Sequence, residues 1–355
     1  METCTPGKTI RKTGYRIASV SYVKFDPRIE PAMHRVPSAF LTALCLLLVT
    51  SSSSSHELLA QQAINEDLVS DLPRRELQVG DLARTFRVYL PPQRAEKPAL
   101  VIALHGSSGG APQSRFVLGP SLERIADTEG HIVAYPYGMP GWNGCARGSR
   151  NAAKLNGVDD VAFIEHLIDD MATTYGIDRE KVFVLGYSGG GHLVYRLALE
   201  RPHLFAGFAA MLMVLPAPES LDCDPSGEPV SIMIMNGTAD PAVPFEGGVV
   251  PRNSEDVPYD RFLSTPETFE YWAELAGLDG EPTLTKIPDL APDDGSTVDV
   301  QTLASTPFEV ALVVVHGGQH RIPGQRQPPG SEMPVNRDAD AVEMVWEFFS
   351  RRLIR

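Results

Sequence analysis

The chain is 355 residues long, enough for one large domain or two small ones. Its hydrophobic content of 43% is that of an ordinary globular protein. No apolar run reaches the roughly 18 residues that would predict a membrane-spanning helix. The formal net charge of -14 argues against a nucleic-acid partner, because such a partner requires a basic surface.

The N-terminal region differs in character from the rest of the chain. A basic start at Met33 precedes the apolar run 39–49 and the serines 51–55. This order is typical of a secretory signal peptide, here 33–55, and a buried core helix is the alternative. We therefore expect a secreted or periplasmic protein that starts at Met33, with 1–32 as an over-long extension. An ordered N-terminal extension is the competing interpretation.

Export also decides how the cysteines are interpreted. Removal of the signal peptide leaves Cys145 and Cys223 as the remaining cysteines of the chain. An even number of cysteines in an oxidising compartment predicts one disulfide bond between them. Two unpaired buried thiols are the alternative.

Beyond the signal peptide, the chain divides into a polar lead-in and one domain. Residues 56–82 are predicted to be irregular, and 83–355 contains no repeat or break in composition. Short apolar or alternating runs predict strands at 85–90, 99–104, 131–135, 181–185, 230–235 and 310–315. Helical periodicity occurs at 118–128, 161–171, 192–200 and 339–352. This alternation predicts the α/β class, with a mostly parallel central sheet and helices on both faces.

A serine flanked by glycines follows the strand at 181–185. The segment Gly186-Tyr-Ser-Gly-Gly190 matches the pattern G-x-S-x-G, with a strand before it and a helix after it. On such a strained turn the glycines keep side chains out of the way, and the serine hydroxyl projects from the sheet edge. We therefore predict that Ser188 is a nucleophile, with a plain glycine turn as the alternative.

A nucleophilic serine requires a histidine base and a carboxylate that orients the histidine. On a sheet of this kind the three follow in the order Ser, Asp or Glu, His, each after a strand. Asp240 follows the strand at 230–235, and His320 follows the strand at 310–315. These residues are predicted to complete a triad with Ser188. The alternative for Asp240 is a turn residue before proline.

Two histidines compete for the role of base. His316 ends the strand, and His320 lies four residues later in a loop that contains Gly317 and Gly318. A histidine in the strand would be held by the sheet, whereas the glycines let the loop fold over the serine. His320 is therefore predicted to be the base. For His316 we expect a core position or one that supports the site from behind.

Two backbone N–H donors are needed to stabilise a developing oxyanion. The residue after the nucleophile, Gly189, is predicted to supply one, and the loop after the strand at 99–104 supplies the other. In that loop we select Ser107, with Ser108 as the alternative. His105 is expected to brace the loop rather than to carry protons.

Together these motifs resemble those of secreted esterases of the feruloyl esterase and polyhydroxybutyrate depolymerase type, in carbohydrate esterase family 1. The resemblance rests on LHGSSGG at 104–110, VDDVAFIEHLIDDM at 158–171, GYSGGG at 186–191, NGTADPAVPF at 236–245, GGQHRIPG at 317–324 and DADAVEMVWEFF at 338–349. It implies an α/β-hydrolase fold in which Ser188, His320 and Asp240 act through an acyl-enzyme. It implies no metal and no organic cofactor.

The family implies an ester substrate, with feruloyl or acetyl esters of plant polysaccharide as the leading class. A short-chain polyhydroxyalkanoate is the alternative substrate, and a serine peptidase or a non-catalytic binding protein on the same fold is a more distant one. The chain departs from the family's pattern after the histidine, where relatives have Thr-Trp-Pro-Gly and this chain has Arg-Ile-Pro-Gly at 321–324. It also lacks the cysteine that relatives often carry near 276–280.

Two aromatic residues are candidates for contact with the substrate. Trp142 follows the strand at 131–135 and is predicted to wall the substrate pocket, with a core position as the equal alternative. Tyr187 adjoins the nucleophile and is also predicted to contact substrate.

Two pairs of acidic residues raise the question of a calcium site. The pairs are Asp159-Asp160 and Asp293-Asp294, and neither has the spacing of an EF-hand loop. We therefore predict that the first pair caps a helix and that the second lies in a hairpin turn.

Overall fold

The computed structural model describes residues 67–107, 109–251, 259–326 and 333–353. The predicted signal peptide, the predicted extension before it and Ser108 lie outside these ranges. The described residues all belong to one compact unit. Within the described ranges, no helix is sufficiently long and apolar to cross a lipid bilayer.

Most strands belong to one large sheet. In chain order the strands are β1 Arg74–Val79, β2 Leu82–Tyr89, β3 Leu100–Leu104, β4 Ile132–Pro136, β5 Val182–Tyr187, β6 Gly207–Met211, β7 Ile232–Gly237, β8 Gly248–Pro251, β9 Tyr259–Phe262, β10 Thr283–Lys286, β11 Thr297–Ser305 and β12 Phe308–His316. The large sheet has ten strands in the order β1-β2-β4-β3-β5-β6-β7-β12-β11-β10, and β8 pairs with β9. Neighbouring strands from β4 to β12 run parallel, whereas the pairs at both edges are antiparallel.

Helices cover the sheet on both faces. They are α1 Ala111–Glu129, α2 Ala152–Leu155, α3 Asp160–Tyr175, α4 Gly189–Glu200, α5 Thr265–Leu275 and α6 Ala341–Ser350. The apolar residues of α3, α4 and α5 join one core, and those of α1 and α6 join the other. This arrangement confirms the predicted fold class, and each strand and helix predicted from the sequence is present.

The continuous apolar pattern of β3 follows from its position between the two cores. All five of its residues are buried. Leu100, Ile102 and Leu104 contact the core that contains α3 and α4, whereas Val101 and Ala103 contact the core that contains α1 and α6. Successive side chains of a strand point to opposite faces, so a strand covered on both faces must be apolar at every position.

The prediction that residues 56–82 are irregular is wrong for β1. This strand, with the sequence RRELQV, pairs antiparallel with β2 from Arg74 to Val79. It forms the outer edge of the large sheet, and its side chains alternate between exposed and partly buried positions before the buried Val79. Charged residues are common on edge strands, because they discourage pairing with other chains. Because most residues of β1 are charged or polar, the sequence lacks the alternation of apolar residues by which a strand is usually recognised.

Asp159 and the second acid pair take the structural roles that were predicted for them. Asp159 caps α3, since its carboxylate accepts a hydrogen bond of 2.9 Å from the backbone N–H of Ala162. Asp293 and Asp294 lie in a short 3-10 turn that connects the adjacent antiparallel strands β10 and β11. Among the described residues, no group of three or more His, Cys, Asp or Glu side chains is placed to hold a metal ion.

A disulfide bond links the loop after β4 to the loop between β6 and β7. It joins Cys145 to Cys223, with 5.2 Å between their Cα atoms and a sequence separation of 78. Backbone hydrogen bonds continue the connection on both sides, from Asp222 N to Cys145 O and from Arg147 N to Ser220 O. The predicted disulfide is therefore present, and it fixes the loop that follows Trp142.

Asp160 is not a capping residue but one partner of a buried ion pair. Its Oδ1 accepts a hydrogen bond of 2.6 Å from Arg84 Nη2, and both side chains are almost completely excluded from solvent. The other carboxylate oxygen accepts the backbone N–H of Asn143 at 2.7 Å. The Arg84 guanidinium also lies 4.1 Å from the ring centre of Phe163. The pair joins β2 to α3 and to the loop that carries Trp142.

Loss of Arg84 should therefore destabilise the fold strongly. Replacement by methionine leaves the Asp160 carboxylate buried without its counterion, which typically costs about 3–5 kcal/mol. As a control, Arg74→Met removes an exposed ion pair with Glu76 on the edge strand β1, and such pairs contribute about 0–1 kcal/mol. Urea denaturation measures both. If Arg84→Met lowered the free energy of unfolding by no more than Arg74→Met does, the buried ion pair would not stabilise the fold as argued.

Candidate active site

Ser188 occupies a strained turn between a strand and a helix. It follows the last residue of β5 and precedes the first residue of α4. Its φ of 51° and ψ of -119° are unusual for a residue other than glycine. The backbone N–H of Ser188 donates to Met211 O at 2.9 Å, which anchors the turn to the end of β6. The turn places the hydroxyl at the carboxyl edge of the parallel strands.

The glycines around Ser188 are required by close backbone contacts. A Cβ atom on Gly186 would lie 2.7 Å from the carbonyl carbon of Gly190. A Cβ atom on Gly190 would lie 2.6 Å from the carbonyl oxygen of Leu104, at the end of β3. Backbone atoms cannot move aside as a flexible side chain can. The sequence pattern therefore reflects the tight packing of β5, α4 and β3.

The structure brings the three predicted triad residues together. His320 Nδ1 lies 2.6 Å from Asp240 Oδ2, and His320 Nε2 lies 3.1 Å from Ser188 Oγ. An imidazole that donates from Nδ1 to the carboxylate keeps Nε2 as an acceptor, which is the tautomer needed to receive a proton from the serine hydroxyl. The carboxylate, the imidazole and the hydroxyl thus form a continuous chain of hydrogen bonds.

The carboxylate of Asp240 is held in a fixed orientation. Its side chain is 1% exposed. Oδ1 accepts hydrogen bonds of 2.8 Å from the backbone N–H groups of Ala242 and Val243, in the turn that follows β7. This leaves Oδ2 directed at His320. If Asp240 were only a turn residue, the contact between its Oδ2 and His320 would have no explanation.

His316 lies apart from this chain of hydrogen bonds. Its side chain is exposed, and its Nε2 lies 3.0 Å from Asp299 Oδ2 on β11. The expectation of a core or supporting position for His316 is therefore wrong, because its backbone still pairs with Thr297 of β11 while its side chain is exposed to solvent. Beyond it, Gly317 has a φ of 72°, and Gly318 O accepts a hydrogen bond from the backbone N–H of Ala239. The loop thus turns back over the end of β7 and carries His320 to Ser188.

The backbones of the two predicted oxyanion donors face each other. A Cβ atom on Gly189 would lie 2.8 Å from the backbone nitrogen of Ser107. A glycine is therefore needed at 189, and the first N–H groups of α4 lie beside the loop that follows β3. N–H groups at a helix start and in such a loop can stabilise negative charge together.

His105 braces the loop that contains Ser107. It is fully buried, its Nε2 accepts a hydrogen bond of 2.8 Å from the backbone N–H of Gly138, and its Nδ1 donates to Gly106 O at 2.6 Å. Burial lowers the pKa of His105 to about 4. The imidazole is therefore neutral near pH 7, and both of its nitrogens are used to hold backbone, as the sequence analysis expected.

The prediction that Trp142 walls the substrate pocket is wrong. Its side chain is 1% exposed, its Nε1–H donates to His105 O at 2.9 Å, and its ring packs 4.6 Å from the His105 ring. The residue lies beneath the loop after β3 and supports it. Tyr187, in contrast, lines a cavity beside Ser188, where its hydroxyl donates to Gln113 Oε1 at 3.1 Å.

Two cavities open on either side of Ser188 and His320. The first, called here the apolar cavity, has a volume of about 260 Å³. Its walls include Met213, Val214, Ala242, Val243, Pro244 and Phe262. The second, called here the arginine cavity, has a volume of about 300 Å³. Its walls include Gly106, Ser107, Gln113, Val117, Tyr187, Leu212, Arg321, Ile322 and Arg326.

Sequence reasoning missed most residues of the cavity walls. They come from loops after β3, β6, β7 and β12, from the start of α1 and from β9. No local sequence pattern identifies such residues. An apolar or basic residue in a loop looks the same in the sequence whether or not it lies at a cavity. Only the departure from the family's pattern at 321–324 pointed to one of these segments.

Comparison with known proteins gives the fold and the family. A model of the phospholipase/carboxylesterase family matches residues 126–253. The Nocardia uniformis subsp. tsuyamanensis protein named "Putative esterase NocK" is 30% identical over 264 residues, which are 72% of this chain and 75% of that one. Feruloyl esterase B of Neurospora crassa is 33% identical over 123 residues, 34% of this chain and 41% of the relative, so less than half of that relative is spanned. An acetyl xylan esterase structure from Aspergillus awamori has a TM-score of 0.52 at 18% identity, covering 79% of this chain and 99% of that one.

The protein therefore has the α/β-hydrolase fold, which is the class that its sheet order and its serine turn define. It belongs to the family of esterases on this fold that includes feruloyl and acetylxylan esterases, and it is a hydrolase of ester substrates. The family and the fold that the sequence motifs implied are confirmed.

The close packing around Ser188 leads to a prediction for Gly190. Gly190→Ala forces a methyl group against the backbone of β3, and a displacement of about 1 Å in a reacting group can cost about 100-fold in rate. We expect at least that loss in kcat/KM for a 4-nitrophenyl ester. The control is Gly227→Ala, where the added methyl group meets nothing within 4 Å and only the positive φ of 76° is unfavourable. If Gly190→Ala retained activity within tenfold of Gly227→Ala, the packing argument would be wrong.

Proposed function

We propose that the protein hydrolyses carboxylic esters with Ser188 as nucleophile, His320 as general base and Asp240 as the group that orients the histidine. The observation that carries this proposal is the chain of hydrogen bonds from Asp240 through His320 to Ser188, at 2.6 and 3.1 Å. The strained backbone of Ser188 supports it further, because strain of this kind clusters at functional sites.

Each group has a defined task in the reaction. Ser188 Oγ attacks the ester carbonyl carbon while His320 Nε2 accepts the hydroxyl proton, and the imidazolium that forms is stabilised by Asp240. The tetrahedral oxyanion is stabilised by the N–H groups of Ser107 and Gly189. His320 then returns the proton to the oxygen of the leaving alcohol. Water attacks the acyl-enzyme by the same route and releases the acid.

For the substrate we propose feruloyl or acetyl esters of plant polysaccharide. The names of the relatives favour this class, since they include a feruloyl esterase and acetylxylan esterases. The apolar cavity beside Ser188 favours an acyl group larger than acetyl, because its walls combine Met213, Val243 and Phe262 in a volume of about 260 Å³. The ring of an aromatic acyl group can bury its apolar surface against such walls.

Ser188→Ala should abolish turnover of esters without affecting the fold. Removal of a triad member leaves only about 10³–10⁴-fold catalysis over water, from binding and the oxyanion donors. A panel of feruloyl, acetyl, butyryl and 3-hydroxybutyryl esters tests both the nucleophile and the substrate class. The nucleophile is misassigned if the variant keeps activity within tenfold of wild type. Wild-type turnover of 3-hydroxybutyryl oligomers in preference to feruloyl esters would instead favour a polyhydroxyalkanoate substrate.

The two histidines should behave differently when each is replaced by alanine. His320→Ala removes the base, so the pre-steady-state burst of nitrophenol from an activated ester should disappear. His316→Ala removes an exposed partner of Asp299 and should retain the burst. Stopped-flow measurement of nitrophenol release at 400 nm on both variants shows which histidine is the base. A burst in His320→Ala together with its loss in His316→Ala would show that the wrong histidine was chosen.

We also propose that the protein is exported and that its catalytic domain begins near β1. The disulfide between Cys145 and Cys223 supports this, because such bonds persist in oxidising compartments. A start at Met33 should suffice for export, and the mature chain should begin between residues 53 and 61, directly after the apolar run. N-terminal sequencing of secreted protein tests this. Recovery of residues from the first 32 in that material would refute it.

A further inference from the structure

The arginine cavity differs in charge from the rest of the molecule. The whole chain carries a formal charge of -14, yet two arginines line this cavity next to Ser188 and His320. Among the described residues of its walls there is no aspartate or glutamate. The site therefore presents a local positive charge in a protein that is otherwise strongly acidic.

The two arginines are placed beside the reacting groups. Arg321 directly follows His320 and is half-buried, and its Nη1–H donates to the backbone oxygen of His320 at 3.0 Å. Arg321 also lines the arginine cavity. Arg326 is exposed and lines the same cavity five residues further along the loop. The two arginines thus come from one loop and line the cavity that also contains Ser188.

The nearby carboxylate of Asp240 offsets one of the two positive charges and is bonded to neither arginine. Its side chain is 1% exposed, and its oxygens are used by His320 and by the backbone N–H groups of Ala242 and Val243. The remaining walls of the cavity are uncharged, with Val117 and Leu212 on the apolar side and Gln113 and Tyr187 on the polar side. An anion that enters the cavity therefore meets cationic donors and no opposing carboxylate among the described wall residues.

We infer that the arginine cavity recognises a carboxylate on the ester substrate, so that the enzyme prefers esters bearing a free acid near the scissile bond. The inference rests on the proposed function, because it assigns one part of the substrate to each cavity. A neutral, apolar part would fill the apolar cavity, and the acidic part would contact Arg321 and Arg326. Guanidinium groups bind carboxylates through paired, charge-assisted hydrogen bonds, which gives both affinity and orientation.

The carboxylate can lie on either side of the ester bond, and matched substrates distinguish the two cases. For the alcohol side, 3-carboxyphenyl butyrate is compared with 3-carbamoylphenyl butyrate, which has the same shape without the charge. For the acyl side, the 4-nitrophenyl hemiester of glutaric acid is compared with the 4-nitrophenyl ester of its monoamide. Wild-type kcat/KM should favour the acid in one of the pairs by about tenfold, the factor that one charge-assisted hydrogen bond supplies.

The double variant Arg321→Gln/Arg326→Gln should reduce that ratio to about one, and Arg321→Lys/Arg326→Lys should retain part of it, since the charge remains. The ratio of two substrates on the same preparation is independent of the folded fraction. Arg94→Gln serves as the control, because Arg94 is exposed in the loop that leads into β3, at the opposite edge of the sheet. It should leave the ratio unchanged.

The inference is overturned by a wild-type ratio of one or less in both pairs, or by a ratio that persists in the double glutamine variant. The preference should also weaken as salt rises from about 0.02 to 0.5 M, since these charges are partly exposed. These outcomes are separate from the proposed function. If Ser188→Ala retained turnover, the nucleophile would be wrong, whereas a change in the acid-to-amide ratio concerns only the two arginines.

Discussion

A serine with a φ of 51° is held in a conformation that L-residues rarely adopt, and the surrounding sheet supplies the restraint. The turn at Ser188 is joined to β5 on one side and to α4 on the other, and it is bonded to the end of β6. Gly186 and Gly190 remove the side chains that would collide with β3 and α4. The strain persists because the buried parallel strands leave the turn no room to relax. Every other part of the site is positioned relative to this turn.

The remaining groups reach Ser188 because parallel strands end at the same edge. Asp240 follows β7 and His320 follows β12, and these two strands are neighbours in the sheet. The backbone N–H groups of Ala242 and Val243 fix one oxygen of Asp240, so the other is directed at His320. Beneath the opposite loop, His105 and Trp142 are buried as supports. The loops of the site are thus anchored to buried residues of the core.

The site has two sides of different chemistry. Loops after β6 and β7, together with β9, form an apolar wall, and the loop after His320 forms a basic one. The family assignment defines the ester bond as the bond that is cleaved, and the walls determine which groups can flank it. The proposed triad and the cavity walls share segments of the chain, since Arg321 directly follows His320 and Ala242 lies two residues after Asp240. Much of both sets lies in loops that follow strands, and such loops can change without disturbing the sheet.

The sequence by itself determined the fold class, six of the strands and four of the helices, and the two residues, Asp240 and His320, that lie beside Ser188. These depend on local periodicity and on chain order, since a buried parallel strand is apolar throughout and its carboxyl end carries the functional residue. The tertiary structure alone decided which side chains are covered. It showed that Trp142 is a buried support, that His316 pairs with Asp299, and that Asp160 pairs with Arg84 of a distant strand. It also revealed β1, whose charged edge sequence carries little apolar pattern. The other elements that were not predicted are β6, β8, β9, β10, β11, α2 and α5. Burial and pairing depend on what packs against a residue from elsewhere in the chain, and that information is not contained in any local stretch.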